Sequence, residues 1–185
     1  PAVAKNLSWA KASDISHTMW ACAKFAYLPE ELLASPQLFS LLGTAGSQEV
    51  SNIAWACGQL GHSNEQLLGG LLRWVQRLLQ LAGNGPRGPP ILALTPHHMC
   101  NIIWAVAVLH LQRHAGIVLS LAHACGKMWG TGAIAAEEMR QLWQVHNWLR
   151  DCPRIRDRQG LSGICSAEQL AQCKADWDAL IKAAT

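Results

Sequence analysis

Apolar residues recur along this chain at helical spacing, and they do so twice over on the same segments. Val50, Ile53, Ala54, Cys57 and Leu60 follow the i, i+3, i+4, i+7, i+10 order of one helical face. Met99, Ile102, Ile103, Val106 and Leu109 repeat it, as do Ile15, Thr18, Met19, Cys22 and Phe25. A second stripe runs beside the first: Asn52, Trp55, Ala56 and Gln59, and again Asn101, Trp104, Ala105 and Val108. Two such stripes predict a helix packed between neighbours, not a helix lying on a surface.

These helices are copies of one another. Asn6-Leu-Ser-Trp9-Ala-Lys-Ala12, His17-Thr-Met-Trp20-Ala-Cys-Ala23, Asn52-Ile-Ala-Trp55-Ala-Cys-Gly58 and Asn101-Ile-Ile-Trp104-Ala-Val-Ala107 align without gaps. A weaker copy, Met139-Arg-Gln-Leu-Trp143, matches Met99-Cys-Asn-Ile-Ile103. Trp20 and Trp55 are 35 residues apart, and Trp55 and Trp104 are 49 apart. The longer interval contains Gly83-Asn-Gly-Pro-Arg-Gly-Pro-Pro90, a loop by composition. Without about ten residues there the period is near 38, which suits one helix–turn–helix unit of a solenoid. Trp9 and Trp20 stand too close for a whole unit, so the first copy is a remnant or residues between the two are missing. The expected fold is all-α: an α-solenoid of stacked helix pairs over 1–150, an Arg-rich loop at 151–165 and a closing helix at 166–185.

Start signals fix several ends. Thr95-Pro96 reads as an N-cap followed by proline at the first helical position, and Ser13 and Ser47 can cap the equivalent helices. Second helices are expected at Asn64–Leu81, with Ser63 and Gln66 as a capping box, and at Gly116–Met128. Pro36 breaks the 29–42 stretch into two short pieces. Helices near Glu137–Arg150 and Ala167–Ala183 end the chain, the last opening with Ser166 and Gln169 as a box. No strand pattern is evident.

Composition adds three constraints. Nine Trp against two Phe and one Tyr point to one packing slot used repeatedly. A net charge of +3 permits contact with nucleic acid without requiring it. Seven Cys, an odd number with none in a Cys-x-x-Cys pair, argue against a secreted disulfide framework. No apolar run reaches membrane-spanning length, so no membrane partner is expected. The chain begins at Pro1 without Met and reads as processed or partial, with any targeting segment already gone.

The repeated turn resembles the octotricopeptide repeat, a degenerate helix pair of about 38 residues found in green algae. The matching run is Ser47-Gln-Glu-Val-Ser-Asn-Ile-Ala-Trp-Ala-Cys-Gly-Gln-Leu-Gly61, and next Thr95-Pro-His-His-Met-Cys-Asn-Ile-Ile-Trp-Ala-Val-Ala-Val-Leu109. Similar helices occur in the repeat region of FAST-kinase-like organellar proteins. Gln141-Leu-Trp-Gln-Val-His-Asn-Trp-Leu149 resembles the helix that ends such arrays ahead of a RAP domain. The family's Pro-Pro-x-Glu-Trp element is reduced here to Leu28-Pro-Glu-Glu-Leu32, and no RAP domain follows Leu149. The resemblance implies a non-catalytic RNA-binding protein of mitochondria, or alternatively chloroplasts. It would stabilise ribosomal RNA within a mitochondrial ribosome alongside other ribosomal proteins. The alternatives are a trans-acting factor for an organellar transcript, and a protein–protein scaffold.

Candidate contacts follow from charge. Arg150, Arg154, Arg156 and Arg158 fall within nine residues, opposed by Asp151 and Asp157. Guanidinium forks match phosphate geometry, so this loop is the first RNA candidate. Lys11, Lys24, Arg73, Arg77, Arg87 and Arg113 are secondary. Ser16, Ser51 and Cys100 hold equivalent places one before the Asn/His, and with Asn52 and Asn101 are candidate base readers. The bland reading of both Asn is hydrogen bonding within or between helices, and that of the Trp slot is packing rather than base stacking. His97, His98 and Cys100 cluster, and His110 and His114 are four apart, but no third paired ligand completes a metal site. No hydrolase, Walker or zinc-protease motif is present, so no catalytic residue or cofactor is assigned.

Overall fold

Every first helix opens on the same device. The side chain at the third helical position turns back to accept the N–H of the residue before the helix. Asp14 does this for Lys11 at 2.8 Å, Glu49 for Gly46 at 2.9 Å, His98 for Thr95 at 3.3 Å and Glu138 for Ala135 at 3.0 Å. The helices that follow are α1 (Ala12–Lys24), α4 (Ser47–Gln59), α6 (Pro96–Val108) and α8 (Ala136–Asp151). Between them lie α2 (Glu30–Leu33), α3 (Pro36–Leu41) with a 3-10 turn at Leu42–Thr44, α5 (Glu65–Gly83), and α7 (Ala115–Met128) behind a 3-10 turn at Gln112–His114. Helix α9 (Ala167–Ala183) comes last. This computed structural model describes residues 10–83, 94–129, 134–156 and 158–184, and all regular structure among them is helical. Residues 6–9 of the first repeat copy (6–12) and 84–90 of the Gly/Pro loop (83–90) lie outside the described residues.

Three first helices also stop alike. Ala26, Gly61 and His110 each stand fifteen residues after the N-cap, with φ of 51°, 63° and 54°. The next N–H then reaches back to a carbonyl inside the helix: Tyr27 to Cys22 at 2.9 Å, His62 to Cys57 at 2.9 Å and Leu111 to Val106 at 3.0 Å. This left-handed closure satisfies carbonyls that would otherwise lack donors. Only Gly61 adopts it without a Cβ penalty.

The described contacts gather in two compact units, Pro1–Ala93 and Leu94–Thr185. In the first, α1 packs along α4, and α4 touches α5. Ile15, Met19, Val50, Ile53 and Cys57 are buried at this level. In the second, α6 packs on both α7 and α8, and α8 on α9. Met99, Ile103, Leu121, Leu142 and Leu149 form the core there. Trp55 and Trp104 are 7% and 8% exposed, and Ala56 and Ala105 behind them are buried. No helix among the described residues is long and apolar enough to cross a membrane.

The structure corrects several local readings. Ser13 and Ser47 are not caps, because both lie inside their helices and the third-position acid does the capping. Ser63 is not the cap of α5 either: Asn64 Oδ1 accepts the Leu67 N–H at 2.9 Å. Trp20 holds the Trp slot but is 45% exposed, and Phe25 of the same helix end is 84% exposed. The Thr95-Pro96 start, the Ser166–Gln169 box and the break at Pro36 are as expected.

Because Ala26 holds a left-handed conformation that costs an L-residue roughly 1–2 kcal/mol, Ala26→Gly is expected to stabilise the protein by about 1 kcal/mol. Gly61→Ala is expected to destabilise it by a similar amount. Urea denaturation midpoints of the two variants, which should move in opposite directions, measure this.

Candidate nucleic-acid interface

The Arg-rich loop is tied down by a histidine. Helix α8 ends at Asp151, and the chain turns through Cys152, 1% exposed, to return past Leu161, which is fully buried. Leu161 N–H donates to His146 Nδ1 at 3.0 Å. Trp143 stacks on the His146 ring with centroids 5.3 Å apart. Gly160, at φ +62°, comes so close that a Cβ there would lie 2.6 Å from both His146 Nδ1 and His146 O. The same Cβ would be 3.0 Å from Arg150 Cγ, so the Arg150 stem lies against the returning loop. Burial, and then the charge of Arg150, hold the His146 pKa below its ordinary value, which keeps Nδ1 free to accept.

This anchoring leaves Arg150, Arg154, Arg156 and Arg158 exposed on one turn. Arg150 also lies in the last turn of α8, where the helix dipole favours a cation. None of the four is paired to a carboxylate among the described residues.

A second basic place lies in the other unit. Arg73 and Arg77, one helical turn apart on α5, line a cleft of about 300 Å³ with Phe39, Leu42, Gly43, Gln66, Gly70 and Trp74. Arg77 Nε donates to Arg73 O at 3.4 Å, which lays its stem along the helix. Arg73 folds back over two glycines: a Cβ at Gly69 would be 3.3 Å from its guanidinium, and one at Gly70 3.9 Å. Among the described residues no acidic side chain lines this cleft.

The remaining cations are less available. Lys24 Nζ sits 5.3 Å from the Trp20 ring centroid and 5.0 Å from that of Trp55, a cation held between two indoles. Arg113 Nε is bonded to His114 Nε2 at 3.0 Å. Lys11 is exposed, and Arg87 lies outside the described residues.

Four of the five candidate base readers are buried. Ser16, Ser51, Cys100 and Asn101 are 1%, 0%, 0% and 4% exposed, so none offers a polar atom to a base in this arrangement. Asn101 instead joins two helices: Gln141 Nε2 donates to its Oδ1 at 2.9 Å, and its Nδ2 meets His97 Nε2 at 3.1 Å. His97 Nδ1 then meets Glu138 Oε1 at 2.6 Å. That bond to Glu138 raises the His97 pKa and lowers the Glu138 pKa. Asn52, at the same register, is half-buried and accepts from Gln48 Nε2 at 2.8 Å.

A further cleft, of about 440 Å³, lies where the C-terminal ends of α6 and α8 meet α9. Its polar lining is Gln112, Gln144, Asn147, His110 and Asp151, with Trp148 and Trp177 beside them and no Lys or Arg. The cysteines are all free thiols, and burial pushes Cys57 up to about 12 and Cys165 to about 11, so both stay protonated at neutral pH. Among the described residues no group of three His, Cys, Asp or Glu is arranged to hold a metal ion.

What sequence reasoning missed was the company each Arg keeps. Gly69-Gly70 inside a helical pattern was the available signal, since each glycine costs a helix interior about 1 kcal/mol against alanine. The His146 anchor gave no such signal, because its partner is a backbone N–H fifteen residues on.

The chain matches no protein-family model, no curated protein and no solved structure.

A histidine whose pKa is lower folded than unfolded favours folding fully above its ordinary value of about 6.5 and less as pH falls through that value toward the depressed one. Loop anchoring should therefore weaken as pH falls below about 6.5, read as faster amide exchange at Leu161. His146→Gln, which keeps an acceptor without a proton to gain, should flatten that dependence. Gly160→Ala should destabilise the protein by more than about 1 kcal/mol at every pH, through its left-handed φ and the 2.6 Å approach.

Proposed function

We propose that this chain is a run of octotricopeptide-like helix pairs forming an α-solenoid that binds organellar RNA and has no catalysis of its own. The observation that carries the reading is the anchored loop with four exposed guanidiniums, Arg150, Arg154, Arg156 and Arg158, none paired to a carboxylate among the described residues. A flexible basic loop would lose entropy on gripping a phosphate backbone; one fastened by His146, Gly160 and Leu161 has already lost much of it. The recurring cap, Trp and left-handed closure support a repeat origin, and the sequence of that repeat is what resembles the octotricopeptide family.

Within this reading the RNA is ribosomal, and the protein is a clamp in a mitochondrial ribosome with other ribosomal proteins around it. The support is chemical: phosphate contacts position RNA without reading bases, and four of the five candidate base readers are buried. The exposed side chains of Trp20, Phe25 and Tyr27 favour a second reading, a protein scaffold, since exposed apolar surface suits a protein partner.

Fluorescence anisotropy with single-stranded RNA separates the two. Binding should fall steeply with salt, and replacing all four Arg by Ala should lower the log–log salt slope by up to about 3, near 0.7 per phosphate contact. Absence of RNA binding, or indifference to the four substitutions, rejects the clamp. Co-sedimentation with ribosomal subunits tests the ribosomal assignment, and recovery in free fractions alone would favour a transcript factor.

A further inference from the structure

We infer that the cleft beside α5 is a pocket for one nucleotide of single-stranded RNA, with Arg73 and Arg77 on the phosphate and Trp74 under the base. The inference rests on the RNA-binding reading and names a site within it.

Three observations converge. The first is uncompensated charge. Two guanidiniums one turn apart on a helix repel one another, and among the described residues no acidic side chain lines the concavity they share. Nothing described cancels that repulsion, whereas a phosphate would, and two Arg forks suit its oxygens. The second is the glycine pair. Gly69 and Gly70 weaken the middle of α5, and a helix interior gains nothing from them on its own account. Here they leave the helix flank bare where the Arg73 guanidinium folds back, and Gly70 forms part of the cleft wall. The third is the aromatic lining. Trp74 and Phe39 are both half-buried, so each presents part of a ring to the cleft while the rest is held by protein. Aromatic rings beside a cationic groove are how single strands are bound without sequence preference.

Size and setting agree. The volume of about 300 Å³ sits at the small end of ligand sites, which suits one nucleotide and not a longer segment. Gln66 adds an amide at the rim, able to bond a base edge or a ribose hydroxyl. The 440 Å³ cleft of the other unit is larger, but without Lys or Arg and with Asp151 in its wall it does not attract an anion.

The experiment uses the full chain, a labelled single-stranded oligouridine, uridine monophosphate and inorganic phosphate. Arg73→Ala with Arg77→Ala should weaken oligouridine binding at least ten-fold and reduce the log–log salt slope by about 1.4, two contacts at 0.7 each. Trp74→Leu should weaken it roughly ten-fold with the salt slope unchanged, and Trp74→Phe should restore most of the loss, since a ring is what stacking needs. Quenching of indole fluorescence by uridine monophosphate, lost in Trp74→Phe, should report the base itself. Circular dichroism melts check that each variant folds. Wild-type RNA affinity in the double Arg variant overturns the pocket while leaving the RNA reading intact. Binding of uridine monophosphate without any RNA binding overturns the RNA reading and this inference of an RNA site with it. Equal competition by inorganic phosphate and uridine monophosphate overturns the base-stacking assignment to Trp74.

Discussion

A helix with apolar side chains on two faces cannot be finished by one neighbour. Everything else in this chain follows from that requirement. Helix α4 carries Ile53 and Cys57 on one stripe and Trp55 and Ala56 on another, and all four are buried. Helix α6 does the same with Ile103, Val106, Trp104 and Ala105. Each therefore needs company on two sides, and like helices pack along like helices: α1 on α4, α6 on α8. Helix α1 shows the converse. Its first stripe is buried through Ile15 and Met19, while Trp20 on its second stripe remains 45% exposed, shielded in part by Lys24.

Burying two stripes forces polar residues on the same helix to find partners inside. Asn101 does so by linking Gln141 of α8 to His97 of its own helix, with Glu138 completing the chain. An unpartnered amide there would cost about 1–3 kcal/mol, so the bonds specify which helices may meet and in what register. The Asn of the repeat is thus an alignment device in α6. In the proposed reading the RNA contacts lie where the repeat is interrupted: the loop after α8 and the glycine-weakened helix α5.

Periodicity made the helices legible because burial on a helix has to recur every three or four residues. It placed α9 to the residue and the others within about two residues, the usual uncertainty at helix ends. The caps were misread at Ser13, Ser47 and Ser63 because a serine is only one of several groups that can satisfy an N-terminal N–H. Asp14 and Glu49 do it from three residues inside, and Asn64 does it next door to Ser63. The Arg residues were legible as charges but not as places. Whether Arg73 and Arg77 share a cleft with Trp74 depends on how Phe39 and Leu42 pack against α5, which no spacing encodes. Burial of Ser16, Ser51 and Cys100 was hidden for the same reason: small residues look alike in sequence whether they face solvent or a neighbouring helix.

The paired start and stop of the first helices have a metrical consequence. Helices α1, α4 and α6 are each thirteen residues long, with the left-handed residue always fifteen places after the N-cap. Lengthening one of them by a single residue would rotate the Trp and the polar row by about 100° relative to the closure that ends it. The different intervals, Ala26 to Gly61 and Gly61 to His110, are therefore absorbed entirely between a closure and the next cap. The chain thus alternates segments of one fixed length with intervals of unequal length, and the longer interval carries α5 and the Arg73–Arg77 cleft.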